Sequence, residues 1–311
     1  MIEVKNLTKY YGEKLAVNKL NFSLRDGEIV GLLGLNGSGK TTTIRMLTGF
    51  LVPSEGEVLV DGISNFQNPL EVKKKIGYLP ESPPLYEDLT VWDYLEFVAK
   101  IKGVSKEDRG SQITQALDKT NLKEVQKELI GSLSLGYRKR VGIAQALLGN
   151  PKIVIMDEPI SGLDPEQILE MRKLIASLSG QHTVLISSHI LSELYKTCDR
   201  FLMIHQGNLK YDYSKQKLEQ ELVQFSSLLV SLGGKSKEEI ISYLNQILES
   251  KIEIETVEQD GNTYHFSLRS ENETILRNRI LDTFRFNGLE LYSLHKKEVT
   301  LEQIFLSNVR N

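Results

Sequence analysis

The chain has 311 residues, of which 40% are hydrophobic and 25% charged, an ordinary globular composition, and its length favours two domains over one. A net charge of −3 excludes the strongly basic domain or stripe that marks a nucleic-acid binder. The single cysteine, Cys198, excludes an intrachain disulfide and fits a reducing compartment, where its expected state is that of a small half-buried hydrophobe.

The chain opens MIEVKNLTKYYG, a polar-alternating strand pattern without the charged-then-apolar start of a secretory signal, so a cytoplasmic location is expected. No apolar run approaches bilayer length; IVGLLGL, at residues 29–35, is strand-sized. Any action at a membrane would need another chain to supply the span.

Residues 28–47, EIVGLLGLNGSGKTTTIRML, run from a buried-strand pattern through a glycine-rich turn into a helical pattern. Gly34, Gly39, Lys40 and Thr41 have the spacing of a phosphate loop. Glycines let the backbone curl until successive N–H groups face phosphate oxygens. Lys40 would then reach the β- and γ-phosphates, and the Thr41 hydroxyl would bind Mg²⁺.

From residue 90 to 133 the pattern is helical, with amphipathic spacing in TVWDYLEFVAKIKG and QITQALDKTNL. LSLGYRKRVGIAQALLGN follows, a polar turn before a basic and then apolar helix. Ser134 there reads as a helix cap or as part of an anion site, because the first amides of a helix serve either purpose. The charge runs Lys73 to Lys75 and Arg138 to Arg140 are expected to be solvated faces.

NPKIVIMDEPISGLDPEQ predicts a buried strand over residues 152–156 that ends in two carboxylates. Ligands of parallel sheets gather at such strand ends. Asp157 is suited to hold Mg²⁺, and Glu158 to polarise an attacking water. HTVLISSHILSEL gives another apolar strand, residues 183–186, and then His189, which at the same sheet edge becomes a γ-phosphate contact.

Read in order, GLNGSGKTT, YLPE, LSLGYRKR, IVIMDEP, SGLD and SSHI resemble the ATP-binding subunit of an ABC transporter, over roughly the first two thirds of the chain. The resemblance implies an α/β phosphate-loop ATPase core over residues 1–212, with an inserted helical subdomain at about residues 88–150. In that family the signature turn of one subunit caps ATP held by the phosphate loop of another, so Ser134 and Gly136 would touch a partner's γ-phosphate. Tyr11 matches the aromatic residue that stacks on adenine, with Tyr10 beside it. Asn36, Gly37, Ser38 and Thr42 belong to the phosphate loop by position, Asp164 matches the loop that communicates between sites, and His189 matches the switch histidine. Trp92, Tyr94 and Phe97 are candidates to line the groove that receives a short helix of the membrane partner, with at least two of them expected to be ordinary core instead.

Two positions depart from the family pattern. Glu81 stands where a glutamine usually contacts Mg²⁺ and senses the γ-phosphate, and the signature reads LSLGY, with Leu135 and Tyr137 substituted. Both variants are similar to exporter-type subunits of the gliding-motility ATPase group. Beyond residue 212 the pattern becomes strand, helix, strand, strand, helix, strand, which predicts a ferredoxin-like α+β domain over residues 213–311, closed by the helical segment TLEQIFLSN.

The expectation is therefore an ATP hydrolase at the cytoplasmic face of a membrane. It would use ATP and Mg²⁺, pair with a copy of itself or a homologous subunit, and drive an integral membrane permease, most simply an exporter, without nucleic acid. The alternatives are a soluble ABC ATPase acting on nucleic acid or ribosomes, and a nucleotide-sensing module whose hydrolysis Glu81 weakens.

Overall fold

The computed structural model describes residues 1–224, 227–247, 253–261, 263–269, 277–281 and 289–297. They belong to two compact units, Met1–Lys215 and Gln216–Asn311.

The first unit opens with a hairpin, Ile2–Tyr11 (β1) and Lys14–Leu24 (β2), followed by Ile29–Leu33 (β3), Lys40–Leu47 (α1), Glu55–Val60 (β4) and Ile63–Ser64 (β5). Pro69–Lys75 (α2) and Ile76–Leu79 (β6) lead into a helical module of Val91–Ile101 (α3), Lys106–Lys119 (α4) and Leu135–Leu147 (α5). Ile153–Met156 (β7), Pro165–Ser177 (α6), Thr183–Ser188 (β8), Leu191–Tyr195 (α7), Arg200–His205 (β9) and Asn208–Ser214 (β10) complete it.

Two sheets result. One is antiparallel, in the order β2-β1-β4-β5; the other, β10-β9-β3-β8-β7-β6, is parallel except where β10 pairs with β9. β3, β7 and β8 are buried along their whole length. They read as continuous apolar runs because both faces of a parallel sheet are covered. Residues of both sheets and of α1 share one core, with Ile2, Leu20, Val58, Ile44, Leu32 and Ile155 fully enclosed.

The helical module has its own core, in which Val91, Leu95, Ile113, Leu117, Val141 and Ala144 meet. Each of its helices starts on a side-chain cap: Thr90 accepts from Asp93 N, Ser105 from Asp108 N, and Ser134 from Tyr137 N. Such caps satisfy amide groups that have no partner inside the helix. Cys198 is buried, and burial pushes its thiol pKa up, the state of an inert packing residue.

Lys215–Gln224 (α8) straddles the division between the units, just beyond the boundary expected at residue 212. The second unit contains Ser227–Gly233 (β11), Lys237–Ile247 (α9), Glu253–Asp260 (β12), Thr263–Arg269 (β13), a helical stretch at residues 277–281, and Glu290–Lys297 (β14). Its strands form one antiparallel sheet in the order β12-β13-β11-β14. Each helical stretch follows a strand, the alternation that the sequence predicts for a split βαβ arrangement. Leu228, Val230, Ile240, Leu244, Phe266 and Ile280 form its core. The segment TLEQIFLSN lies outside the described residues.

Candidate functional site

The five parallel strands of the central sheet end at one edge, and the chain places a polar turn after each. Register fixes their sequence: Leu33 pairs with Ser188, Ile186 with Met156, and Met156 with Leu79. Gly34 of the phosphate loop, His189, Asp157 with Glu158, and Glu81 therefore follow one another along the edge. On the other side of β3, β9 delivers Gln206 and Gly207.

The phosphate loop is shaped by close approach. A Cβ on Gly34 would meet Ser38 Oγ at 2.3 Å and Ile204 O at 2.5 Å, so only glycine fits. Gly37 and Gly39 have φ of 77° and 111°, values that glycine adopts without strain. Gly39 precedes α1, whose start has no side-chain cap. Its first amides are left to a ligand, and the positive end of the helix favours an anion there. Ser38 Oγ is buried with no partner.

Lys40 is buried. Its ammonium donates to Gly34 O at 2.7 Å and Leu35 O at 3.4 Å and lies 3.6 Å from Glu158 Oε1. Glu158 Oε2 faces His189 Nδ1 at 3.0 Å. Asp157 accepts from Ser187 Oγ at 2.5 Å, and the same hydroxyl receives Glu158 N at 2.9 Å. Glu158 has φ of 47°, a left-handed conformation that costs a side-chain-bearing residue roughly 1–3 kcal/mol unless its surroundings enforce it. Burial, and after it the Asp157 carboxylate, push the neighbouring Tyr78 phenol up to about 12.

Beside these groups opens a cleft of about 540 Å³, which Ser38 and Asp157, both buried, do not border. Asn36, Gly37, Gly39, Lys40, Thr41, Thr42, Glu81, Glu158 and His189 all border it, and so does Tyr11. Tyr11 is 47% exposed, which excludes plain core packing, and unlike Tyr10 it faces the cleft. Ser134 and Gly136 do not border the cleft; they stand at the start of α5. Asp164 caps α6, accepting from Gln167 N at 2.9 Å.

Mg²⁺ prefers oxygen donors; of the three expected to hold it, Thr41 and Glu81 border the cleft, while Asp157 is buried and accepts from Ser187 Oγ. Among the described residues there is no cluster of three or more histidine, cysteine or acidic side chains suited to a metal.

One expectation needs correction. Lys139 and Arg140 are not on a solvated face: they are 4% and 8% exposed. Lys139 Nζ donates to Glu158 O at 2.8 Å and Ser161 O at 2.7 Å, and burial lowers its pKa. Arg140 pairs with Glu170. Among the aromatic residues of the helical module, at least two are core, as expected. Tyr94 is enclosed in the helical core with its hydroxyl on Gln145, and Trp92 packs on that core. Phe97 packs against Tyr86, the rings tilted by 50° with centroids 5.4 Å apart. A mostly apolar groove is lined by Phe50, Tyr78, Pro80, Pro84 and Ile101, together with Arg45 and Lys73.

Sequence reasoning missed Ser187, Ser161, Gln206, Gly207 and Lys139. Ser187 could have been found as a hydroxyl inside an apolar strand, two residues before His189. Nothing local marked Lys139, whose acceptors are backbone carbonyls distant in sequence.

Comparison with known proteins agrees with this geometry. The family model described as ABC transporter matches residues 17–161. The bacitracin transport ATP-binding protein BcrA of Bacillus licheniformis is 35% identical, covering 98% of this chain and 96% of the relative. The lantibiotic transport ATP-binding protein SrtF of Streptococcus pyogenes is 36% identical over 69% of this chain and 93% of its own length. A dimeric ATP-binding cassette in a post-hydrolysis state, bound to ADP and Pi, superposes with a TM-score of 0.63 at 26% identity, covering 69% of this chain and 99% of that one. The chain belongs to the ATP-binding subunits of ABC transporters, ATPases that power transport.

Proposed function

We propose that this subunit drives an exporter by closing head-to-tail on a second ATP-binding subunit around Mg-ATP and reopening after hydrolysis. The observation that carries the reading is the convergence of Lys40, Glu158 and His189 at the open end of one sheet, beside an uncapped helix start. The names of the relatives favour peptide antibiotics of the bacitracin or lantibiotic kind as cargo.

In this account Tyr11 stacks on the adenine, while the amides of the loop from Asn36 to Thr42 receive the phosphates. Ser38 belongs to that loop. Lys40 exchanges the carbonyls of Gly34 and Leu35 for phosphate oxygens. Glu158 orients a water and takes its proton as the water oxygen bonds to the γ-phosphorus; the bond to the bridging oxygen breaks, and ADP and phosphate leave. His189, already on Glu158 Oε2, holds that carboxylate and faces the γ-phosphate. Mg²⁺, held by Thr41, Asp157 and Glu81, would offset the negative charge of the phosphates. Ser134 and Gly136 of a second subunit would complete the site from outside, and Asp164 lies on the segment linking the two halves.

No helix among the described residues is long and apolar enough to cross a membrane. This agrees with a subunit held at the cytoplasmic face by an integral membrane permease. The groove at Phe50, Tyr78 and Ile101 has the apolar character to receive a short helix of that permease. The C-terminal unit is read as an accessory module.

Replacing Glu158 by glutamine keeps its size and removes its basicity. Phosphate release from Mg-ATP should fall by roughly 10²–10⁴-fold, the contribution of a general base, while ATP binding persists. Unchanged turnover would sink the assignment of Glu158, and a wild-type chain that binds Mg-ATP without turnover would favour the nucleotide-sensing alternative.

A further inference from the structure

Lys139 is a buried cation whose acceptors, the carbonyls of Glu158 and Ser161, belong to the turn that carries the site's carboxylate. Glu158 has a left-handed backbone and is held from both sides: Ser187 Oγ takes its N–H, and Lys139 takes its carbonyl. Lys139 also lies on α5, five residues after the Ser134 cap.

Other contacts seat the same stretch of α5 on the segment that follows Glu158. A Cβ on Gly136 would meet Gln167 Oε1 at 2.7 Å, and the Leu135 side chain stands 3.2 Å from where a Cβ on Gly162 would be. Arg140 pairs with Glu170. The first turns of α5 thus rest on the segment from Glu158 to Glu170.

We propose that Lys139 is a positioning residue that links the signature turn, which caps a partner's nucleotide, to the water-orienting carboxylate of its own chain. The proposal rests on the function reading above. Over five residues an α-helix spans only about 7.5 Å and moves as a rod. A shift of Ser134 toward the partner's phosphate therefore carries the Lys139 ammonium with it, and through the Glu158 carbonyl it turns the carboxylate. Occupancy of one nucleotide site would in this way set the geometry of the other.

The test is steady-state hydrolysis of Mg-ATP by the full chain, with melting temperature measured in parallel. Lys139→Met should lower kcat roughly 10–100-fold, the cost of a misplaced reacting group. The KM for ATP should stay within about twofold, because ground-state binding is untouched, and cooperativity in ATP concentration should disappear. Lys139→Arg, which restores donors to both carbonyls, should recover most of the rate. Lys139→Gln, with a shorter donor, reads the same contact where the methionine variant does not fold, and should show reduced kcat at unchanged KM. Leu117→Ala, a truncation in the helical core, should lower the melting temperature and leave kcat per folded molecule unchanged. Wild-type kcat and cooperativity in the methionine or glutamine variant overturn the proposal. So does a rate loss that merely follows the folded fraction, as in Leu117→Ala, or one that arginine does not relieve. A wild-type chain that does not hydrolyse Mg-ATP overturns the function reading instead.

Discussion

Two helices of the first unit begin with tight turns, yet they begin differently. α1 starts after Gly39 with no side chain on its first amides, whereas α5 starts on Ser134, whose hydroxyl accepts from Tyr137 N at 3.4 Å. α5 is closed at its other end too: Lys102 donates to Gln145 O, Ala146 O and Leu148 O at 2.7, 3.0 and 2.9 Å. A helix end left open inside a cleft is an anion site on its own. A capped end outside the cleft is a stable surface feature that acquires a ligand only when a second molecule brings one. In the function proposed above, the first turn is complete within the chain, and the second would be half of a site.

Breaking the open end should have the larger effect. Lys40→Met removes the ammonium of the phosphate loop and should lower phosphate release from Mg-ATP by roughly 10²–10³-fold, the usual loss for a donor aimed at developing charge. A variant with near wild-type turnover would remove Lys40 from the site. Breaking the capped end should matter less. Ser134→Ala loses a hydroxyl donor to a charged group, worth about 1.5–3 kcal/mol, so turnover should fall roughly 10–100-fold. The lost cap should cost only about 1 kcal/mol of stability, and denaturant unfolding beside the kinetic assay separates the two effects.

Lys102 sharpens the contrast at the far end of α5. Burial lowers its pKa from 10.5 to about 8, so between those values the unfolded chain binds the proton that the folded chain has released. Stability should then rise as pH increases from about 8 toward 10.5, by up to a few kcal/mol at about 1.4 kcal/mol per unit. Below about pH 8 both states are protonated and this contribution is flat. Urea unfolding across that range should show the slope in the wild type, and Lys102→Met should remove it. The same slope in both would place its origin elsewhere.

The phosphate loop was legible because its chemistry is contiguous: glycines, lysine and threonine in one turn between a strand and a helix. Asp157 and Glu158 were legible for a related reason, since an entirely apolar strand announces burial and the carboxylates mark its open end. The run Arg138 to Arg140 was misread because charge ordinarily seeks water, and periodicity cannot reveal that two carbonyls await the Lys139 ammonium. Those carbonyls belong to a turn in which Glu158 has φ of 47°, a property of the folded chain. Of the helical-module aromatics, at least two are core, as expected. Tyr94 and Phe97 share a helix with suitable spacing, but Tyr94 turns into the helical core, and the groove takes Phe50 and Tyr78 from elements far apart in sequence. In the C-terminal unit, alternating strands and an amphipathic helix gave the element order, while the sheet order needed pairings between strands distant in sequence.

The most direct test of the central claim, that the turn at Ser134 is half of a nucleotide site completed by another molecule, is the solution mass of the Glu158→Gln chain by light scattering with and without Mg-ATP. The account predicts a doubling of mass on adding Mg-ATP that is lost when Ser134→Ala is introduced as well. A mass that stays monomeric with ATP bound, or a dimer indifferent to Ser134, would contradict it.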